Sequence, residues 1–344
     1  MAMHKRFVLA AYPDGMPREG DFRLEEGPVP RPGPGEFLIR TIYISPEPRL
    51  RPMMNPTTPG NAAMRAEHGP TTDIGRLMPG TAIGEVLRSR HVSYAEGDIV
   101  EGFFGWQTHV LSDGTVHARH NPAGIHKIDR GLGPISAHAG VLGIPGITAY
   151  LAIQHEATPG PGETFVVTSA AGAVGSTAGQ IAKIMGARVV GLTGSSDKAG
   201  FLTGELGFDA AINYRRAPDL AAAVRDACPG GVDLYFDNVG GAVAETIIGQ
   251  LNPGGRLTRI GVIAHYNDDA NWAQSQAFDP VFIVHDHVPE YDEARRTLAG
   301  SMASGELTAR VDIVVGFENT PAAFIGMLKG ENIGKRLVRV SAEP

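Results

Sequence analysis

The chain has 344 residues, of which 42% are hydrophobic and 19% charged, and its formal net charge is −7. This length and composition suit two ordinary domains with apolar cores, and the acidic balance argues against a nucleic-acid-binding face. The single cysteine, Cys228, excludes an intramolecular disulfide and a Cys-rich zinc site. No apolar run reaches the roughly 18 residues of a membrane span, so we expect a cytoplasmic protein that binds neither nucleic acid nor membrane.

Residues 1–130 predict a β-rich domain. Short runs of β-branched and aromatic residues alternate here with Pro and Gly. The clearest strand candidates are the segment that begins at Phe7 and the runs Glu36–Ile44, Gly80–Leu87 and Gly97–Trp106. This spacing of short strands and turns is typical of a barrel or a sandwich.

Residues 131–304 predict a parallel sheet covered by helices on both faces, because strand-like and helix-like segments alternate. The strand candidates are Thr164–Thr168, Arg188–Leu192, Ala210–Asn213, Asp233–Phe236, Leu257–Val262 and Val281–Val284. The helix after the first of them carries one apolar stripe at helical spacing, formed by Val174, Ala178, Ile181, Ala182 and Met185. Residues 305–344 then predict strand, helix and strand, an order compatible with a return to the first domain.

A glycine-rich turn follows the first strand of this second domain. The sequence Ala170-x-Gly172-x-x-Gly175 is a variant of the dinucleotide-binding pattern with alanine in the first position. Gly172 would let the backbone approach a pyrophosphate, Gly175 would let helix and strand pack closely, and the helix N-terminus would supply amide donors. The alternative is a tight turn that needs small residues and binds nothing.

The segment after the second strand bears on the choice of cofactor. An NAD-specific site usually places Asp or Glu there to bind the ribose 2′-hydroxyl, but this strand runs into Thr193-Gly-Ser-Ser without an acid. Lys198 follows and could accept a 2′-phosphate. The sequence therefore favours NADPH over NADH. The alternative for Lys198 is a solvated surface lysine.

Several longer motifs together resemble one known family. They are Val141–Tyr150, Ala170–Gly175, Asn213–Tyr214, Tyr235–Gly241, His265–Asn267 and Gly316–Lys335. The chain resembles the zinc-independent medium-chain dehydrogenase/reductases, in the group of the prostaglandin reductases, leukotriene B4 12-hydroxydehydrogenases and alkenal and curcumin reductases. The resemblance covers nearly the whole sequence.

The resemblance implies an α/β fold in which a GroES-like β-rich catalytic domain (1–130, completed by 305–344) is joined to a doubly wound Rossmann domain (131–304) that binds NADPH. It assigns the cofactor to residues in several places: Gly172, Ala173, Val174 and Gly175 at the pyrophosphate, Lys198 and Tyr214 at the 2′-phosphate, Thr148 near the nicotinamide, Asn238 beside the bound cofactor, and Asn332 from the C-terminal segment. The alternative in each case is a turn or core role. Asn238, for example, could cap a helix beginning near Ala242.

The reaction implied is reduction of the carbon–carbon double bond of a small α,β-unsaturated ketone or aldehyde. Hydride attacks the β-carbon, and the charge that develops on the carbonyl oxygen needs a hydrogen-bond donor. Tyr266 matches the family tyrosine at this place, and its alternative role is that of a packing aromatic. Two other functions stay open: an NADPH-dependent quinone reductase, and a non-catalytic NADPH-binding sensor.

The sequence departs from its relatives at Glu47–Arg51, where they carry Asp-Pro-Tyr-Met-Arg. We expect Arg49 or Arg51 to bind a polar or carboxylated substrate, with exposure to solvent as the alternative. The stretch Asn267–Asp279 is also unlike the relatives, so the family's substrate range does not transfer to this chain.

We expect no functional metal. The densest histidine groups are His285-Asp286-His287 and His117–His120, and spacing identifies no third ligand for either. The resemblance implies a homodimer that pairs edge strands of two Rossmann sheets, for which Val281–Val284 is the candidate edge.

Overall fold

The computed structural model describes residues 3–57, 71–115, 123–268 and 281–344. It divides into two compact units: the first comprises Met1–Ala139, Asp312–Asn332 and Arg336–Pro344, and the second Gly140–Val311 and Ile333–Lys335. The boundaries expected from the sequence lay at 130/131 and 304/305. Within the described part of the chain, no helix has the length and hydropathy needed to cross a membrane.

Antiparallel strands form the framework of the first unit. They are β1 Met3–Leu9, β2 Phe22–Pro28, β3 Phe37–Ser45, β4 Thr81–Ser89, β5 Ile99–Gly102, β6 His109–Ser112, β7 His126–Lys127, β13 Val311–Val315 and β14 Lys335–Arg339. β1 pairs with β2, and the larger sheet has the order β13-β14-β3-β4-β5-β7, with β6 also paired to β3. β3 is central and almost entirely buried, which explains its nearly continuous apolar run. The candidate Gly97–Trp106 forms a strand only at β5.

The C-terminal segment contributes to the core of this first unit. β14 runs antiparallel to β3, with Val338 opposite Ile44. Phe324 lies on the helix Thr320–Leu328, and its ring centroid is 5.5 Å from that of the buried Trp106. Among the described residues of this unit there are also the single α-helical turns Leu50–Met53 and Ile135–His138 and the 3-10 turns Glu19–Asp21 and Phe317–Asn319. The return of the chain to the first unit therefore adds both strands and apolar side chains to it.

The second unit is a five-stranded parallel sheet with helices between the strands. Its strands are β8 Thr164–Val167, β9 Arg188–Thr193, β10 Ala210–Asn213, β11 Val232–Asp237 and β12 Leu251–Arg259, in the order β10-β9-β8-β11-β12. Its helices are Ile144–Ala152, Ala173–Ile184, Ser196–Gly204, Leu220–Ala227, Gly241–Ile248 and Tyr291–Ala303. The expected doubly wound α/β architecture is confirmed, although β12 begins six residues before the predicted Leu257.

The prediction of a strand at Val281–Val284 is wrong. The Phe282 amide donates to the Arg259 carbonyl at 2.8 Å, but the Asp286 amide already donates back to the Ile283 carbonyl at 3.1 Å. The chain therefore turns, and a 3-10 helix spans Val284–Glu290. Local β-propensity was overridden by this turn, and the edge strand that we named for a homodimer is not a strand.

The helix Ala173–Ile184 buries a wider face than the predicted stripe. Ala178, Ile181 and Ala182 are buried as expected, and so is Gln180, which binds the Thr308 backbone through both its amide oxygen and its amide nitrogen. The helix is thus covered by segments other than the sheet as well.

Candidate active site

In the second unit the strand order reverses between the neighbouring strands β8 and β11. The connection after β8 leads to β9 on one side of this pair, and the connection after β11 leads to β12 on the other side. In open parallel sheets, ligands bind beyond the carboxyl ends of the strands at such a switch point. The glycine-rich turn follows β8 and the Asp-Asn-Val-Gly-Gly motif follows β11. Both sequence motifs therefore converge on this one edge of the sheet.

Backbone bonds and close packing fix the shape of the glycine-rich turn. The Gly172 amide donates to the Ser169 carbonyl at 2.8 Å, and Ser169 itself has a left-handed backbone with φ of 51°. A methyl group on Gly175 would lie 2.5 Å from the Ser169 carbonyl oxygen, closer than any real contact. Gly175 is therefore required for the helix to pack on the turn, as the sequence predicted.

The helix Ala173–Ile184 begins directly after the turn, and the backbone of Gly334 pairs with the turn at Gly172. Gly172 is the N-cap, and no side chain caps this end. The first amides of a helix lack partners within the helix and carry its positive dipole end. A methyl group on Gly172 would come within 3.1 Å of the Ser169 carbonyl and hydroxyl oxygens. The turn thus joins a helix N-terminus without a side-chain cap to a tightly packed glycine, which suits a pyrophosphate.

A second group of polar side chains lies where β9 and β10 end side by side. Asn213 is opposite Thr193 in the parallel register. A methyl group on Gly194 would lie 3.1 Å from Nε of Arg215 and 3.3 Å from the Tyr214 hydroxyl oxygen, so the two side chains face this glycine. Lys198 is in the first turn of the next helix, where its amide donates to the Ser195 hydroxyl at 3.3 Å. Tyr214 and Lys198 were expected here.

Arg215 also lies where β9 and β10 end, and it was not expected there from the sequence. Its guanidinium lies over the Tyr214 ring, 6.0 Å from the ring centroid. The signal was available, because Arg215 directly follows the strand that neighbours β9. Asp197 is exposed in the first turn of the helix Ser196–Gly204, so the edge holds one acid and two cations, Lys198 and Arg215.

Asn238, at the end of β11, binds the end of β8. Its side-chain amide donates to the Thr168 carbonyl at 2.8 Å, and its backbone amide donates to the Thr168 hydroxyl oxygen at 3.0 Å. The helix after it begins at Gly241 with Gly240 as N-cap. The alternative role of Asn238 as a helix cap is therefore wrong.

A buried carboxylate beneath Asn238 ties these strand ends together. Asp237 has no exposed surface. Its Oδ1 accepts hydrogen bonds from the Thr168 hydroxyl at 3.1 Å, the Tyr235 hydroxyl at 2.7 Å and two following backbone amides. Its Oδ2 lies 3.4 Å from Nε of Arg259. Burial is the main cause that raises the pKa of the Tyr235 phenol, with the Asp237 charge second. This network was not anticipated from the sequence.

Tyr266 follows a 3-10 turn, Ile263–His265, beyond β12. A methyl group on Gly261 would lie 3.4 Å from the Tyr266 hydroxyl oxygen and 3.6 Å from the Asn238 carbonyl oxygen. The two residues therefore flank the same glycine. The structure brings the candidate hydrogen-bond donor to the edge of the sheet that carries the glycine-rich turn.

With this geometry in place, the chain can be compared with known proteins. It matches the family models described as the N-terminal domain of oxidoreductase, over residues 5–119, and zinc-binding dehydrogenase, over residues 173–287. It is 35% identical over 354 residues to the NADPH-dependent curcumin reductase of Escherichia coli, a match that covers 99% of this chain and 98% of that protein. It is also 35% identical over 349 residues to prostaglandin reductase 1 of Mus musculus, covering 98% of this chain and all of that one.

Among solved structures, CurA of Vibrio vulnificus in complex with NADPH superposes with a TM-score of 0.85 at 32% identity, covering 98% of this chain and 100% of that one. The chain belongs to the medium-chain dehydrogenase/reductases, in the group of the prostaglandin, curcumin and alkenal reductases. The expected family is confirmed.

Two further residues that this family assigns to the cofactor are buried. Thr148 lies on the helix Ile144–Ala152 and donates its hydroxyl hydrogen to the Ile144 carbonyl at 2.7 Å, which leaves its oxygen able to accept. Asn332 is buried and belongs to the first unit. The roles of both residues toward the cofactor stay predictions.

Arg49 and Arg51 lie in the segment where the sequence differs from its relatives, and their surroundings in the first unit are different. Arg51 is only 1% exposed, and its guanidinium donates to the carbonyls of Gly15 and Pro13 and to Asn55. This geometry argues against Arg51 as a substrate contact, since its donors hold a loop in place. Arg49 is partly exposed, but it binds Glu47 at 2.6 Å.

One of the two matching families is described as a zinc-binding dehydrogenase, but the only cysteine in this sequence is Cys228, so a cysteine-rich zinc site cannot form. Cys228 is buried in the core of the second unit, and burial raises the pKa of its thiol to about 11. The cluster His117–His120 lies outside the described residues. His287 lies beside His155 and Glu290, partners that sequence spacing did not connect.

Proposed function

We propose that this protein is an NADPH-dependent reductase of the carbon–carbon double bond in small α,β-unsaturated ketones or aldehydes. The relatives' names support reductase chemistry of this kind. The observation that carries the proposal is the convergence, on one edge of the second unit, of the glycine-rich turn at Gly172, the cationic group at Arg215 and the hydroxyl of Tyr266 beside Asn238.

The residues at this edge fit NADPH. The helix N-terminus at Gly172, which no side chain caps, suits the pyrophosphate. At the other end, Gly194 leaves a cradle that a methyl group would fill, lined by the Tyr214 hydroxyl and Arg215. Arg215 and Lys198 supply positive charge to a 2′-phosphate, which a bidentate guanidinium binds well. The carboxylate that typically binds the 2′-hydroxyl of NADH is missing from positions 193 to 196.

When bound, NADPH supplies the hydride that the β-carbon of the substrate receives. The chain's own contribution is positioning and charge stabilisation. Tyr266 donates a hydrogen bond to the substrate carbonyl oxygen as negative charge develops there, which lowers the barrier. Asn238 and Thr148 orient the nicotinamide half, while Asp237 holds Asn238 through Thr168. Solvent then protonates the α-carbon.

A panel of acceptors tests this proposal. Purified protein mixed with NADPH and with enones, enals or quinones is followed by the absorbance of the reduced nicotinamide. We expect oxidation with enones and enals, and a Tyr266→Phe variant with a kcat lower by about 10²-fold and unchanged NADPH affinity. Turnover with quinones alone would make the protein a quinone reductase, and tight NADPH binding with no turnover would make it a sensor. Full turnover by Tyr266→Phe would place the donor elsewhere.

The expected homodimer, the cytoplasmic location and a carboxylated substrate that Arg49 would contact stay predictions. The expectation of no functional metal is also untested, and the cluster of His155, His287 and Glu290 runs counter to it.

A further inference from the structure

Two histidines and a glutamate from different segments meet on the surface of the second unit. His155 Nε2 lies 2.9 Å from one carboxylate oxygen of Glu290, and His287 Nδ1 lies 2.9 Å from the other. All three ligand atoms lie within 4.8 Å of one another. No step of the proposed reaction uses these residues.

The fold holds this cluster in a defined geometry. His155 lies in a π-helical turn, Ile153–Ala157, that directly continues the helix Ile144–Ala152. His287 lies at a kink within the 3-10 segment Val284–Glu290, and Glu290 ends that segment. The His287 ring stacks on the Phe282 ring at 5.1 Å on one side and on the His155 ring at 4.3 Å on the other. The stacking restricts its rotation, so the ligand atoms are largely preorganised.

Access and charge both favour a cation at this place. The side chains of His155, Glu290 and His287 are 40%, 42% and 25% exposed, so an ion can enter from solvent. The carboxyl of Glu156 also interacts electrostatically with both imidazoles, while burial raises its pKa. Two imidazoles and one carboxylate form a ligand set that Zn²⁺ and similar ions prefer, with a fourth position left for water.

We propose that His155, His287 and Glu290 bind a divalent late first-row metal ion, of which Zn²⁺ is the type. In the metal-free protein the same groups hydrogen-bond to each other, and the metal replaces the protons shared between them. Bound metal joins the turn after the helix Ile144–Ala152 to the 3-10 helix before Tyr291–Ala303. The ion therefore stabilises the second unit by binding its folded form.

Isothermal titration of the tag-free full chain with zinc chloride tests the site without NADPH or substrate, so its outcome is independent of the proposed reaction. We expect one ion per chain, a higher Tm with zinc, and binding weakened more than about tenfold in Glu290→Gln and in His155→Gln. Substitution with Co²⁺ should give the visible absorption of a low-coordinate site.

Matched controls come from elsewhere in the chain. His4 meets His109 edge-on, with ring centroids 6.3 Å apart, and Glu245 lies on the helix Gly241–Ile248. His4→Gln and Glu245→Gln should bind zinc like the parent chain. The proposal is overturned if the parent shows no binding, or if Glu290→Gln, with an unchanged Tm in the metal-free state, binds zinc as tightly as the parent.

Discussion

The turn Ser169–Gly175 and the segment Glu47–Arg51 show two ways in which sequence carries function. In the turn, the backbone provides the proposed contacts, and the requirement for glycine at 175 follows from a contact with Ser169, close by in the sequence. In the segment, side chains do the work, and two arginines of the same charge have different partners. Local geometry can thus be inferred from sequence, whereas the partner of a long charged side chain cannot.

The most severe test of this contrast is at the turn. We expect Gly175→Ala to lower the free energy of unfolding by about 3 kcal/mol and to weaken NADPH binding strongly, because its methyl group would lie 2.5 Å from the Ser169 oxygen. Gly200→Ala, in a helix with open space around it, should be neutral or slightly stabilising. Denaturant unfolding and NADPH titration measure both. If Gly175→Ala and Gly200→Ala changed the unfolding free energy and NADPH binding equally, the requirement for glycine at 175 would be contradicted.

The buried carboxylate of Asp237 is a side chain whose partners could not be predicted from the sequence, so a substitution there tests the second half of the contrast. Asp237→Asn keeps an acceptor for the Thr168 and Tyr235 hydroxyls but places an amide beside Arg259. We expect about 2 kcal/mol less unfolding free energy and weaker NADPH binding. Asp197→Asn, at an exposed position, should change unfolding little. Unchanged urea unfolding of Asp237→Asn would show that the network is dispensable.

Discrimination between NADPH and NADH tests the two cationic side chains at the ends of β9 and β10, where a smaller effect is expected. Arg215→Ala and Lys198→Ala should each weaken NADPH binding by about tenfold, the value of one charge-assisted hydrogen bond, and leave NADH unaffected. Arg225→Ala, an exposed arginine on the helix Leu220–Ala227, is the matched control. Fluorescence titration with both cofactors decides. Equal loss for NADPH and NADH would remove these residues from the 2′-phosphate.

The smallest effect is expected at Arg49, because its guanidinium already forms an ion pair with Glu47. Glu47→Gln should free Arg49 and raise the preference of kcat/KM for a carboxylated enone over its neutral analogue by about threefold, the size of an exposed ion pair. The double variant Glu47→Gln, Arg49→Ala should lose that gain. No change in preference in Glu47→Gln would place Arg49 away from the substrate.

The sequence predicted what depends on local pattern: the alternation of strands and helices, the strand that feeds the turn and the apolar stripe that begins at Val174. It failed where distant segments decide the outcome. Val281–Val284 has strand propensity, but backbone bonds after Phe282 turn the chain. Two of the partners of Arg51, Gly15 and Pro13, lie 36 and 38 residues away. Asp237, Thr168 and Arg259 meet only when β8, β11 and β12 lie side by side.

The most direct test of the central claim uses NADPH deuterated at C4 of the nicotinamide and a neutral enone, with the product analysed by NMR and mass spectrometry. If the protein reduces the double bond, the product is the saturated ketone with one deuterium on the former β-carbon and an intact carbonyl. An allylic alcohol with deuterium on the carbonyl carbon would contradict the account.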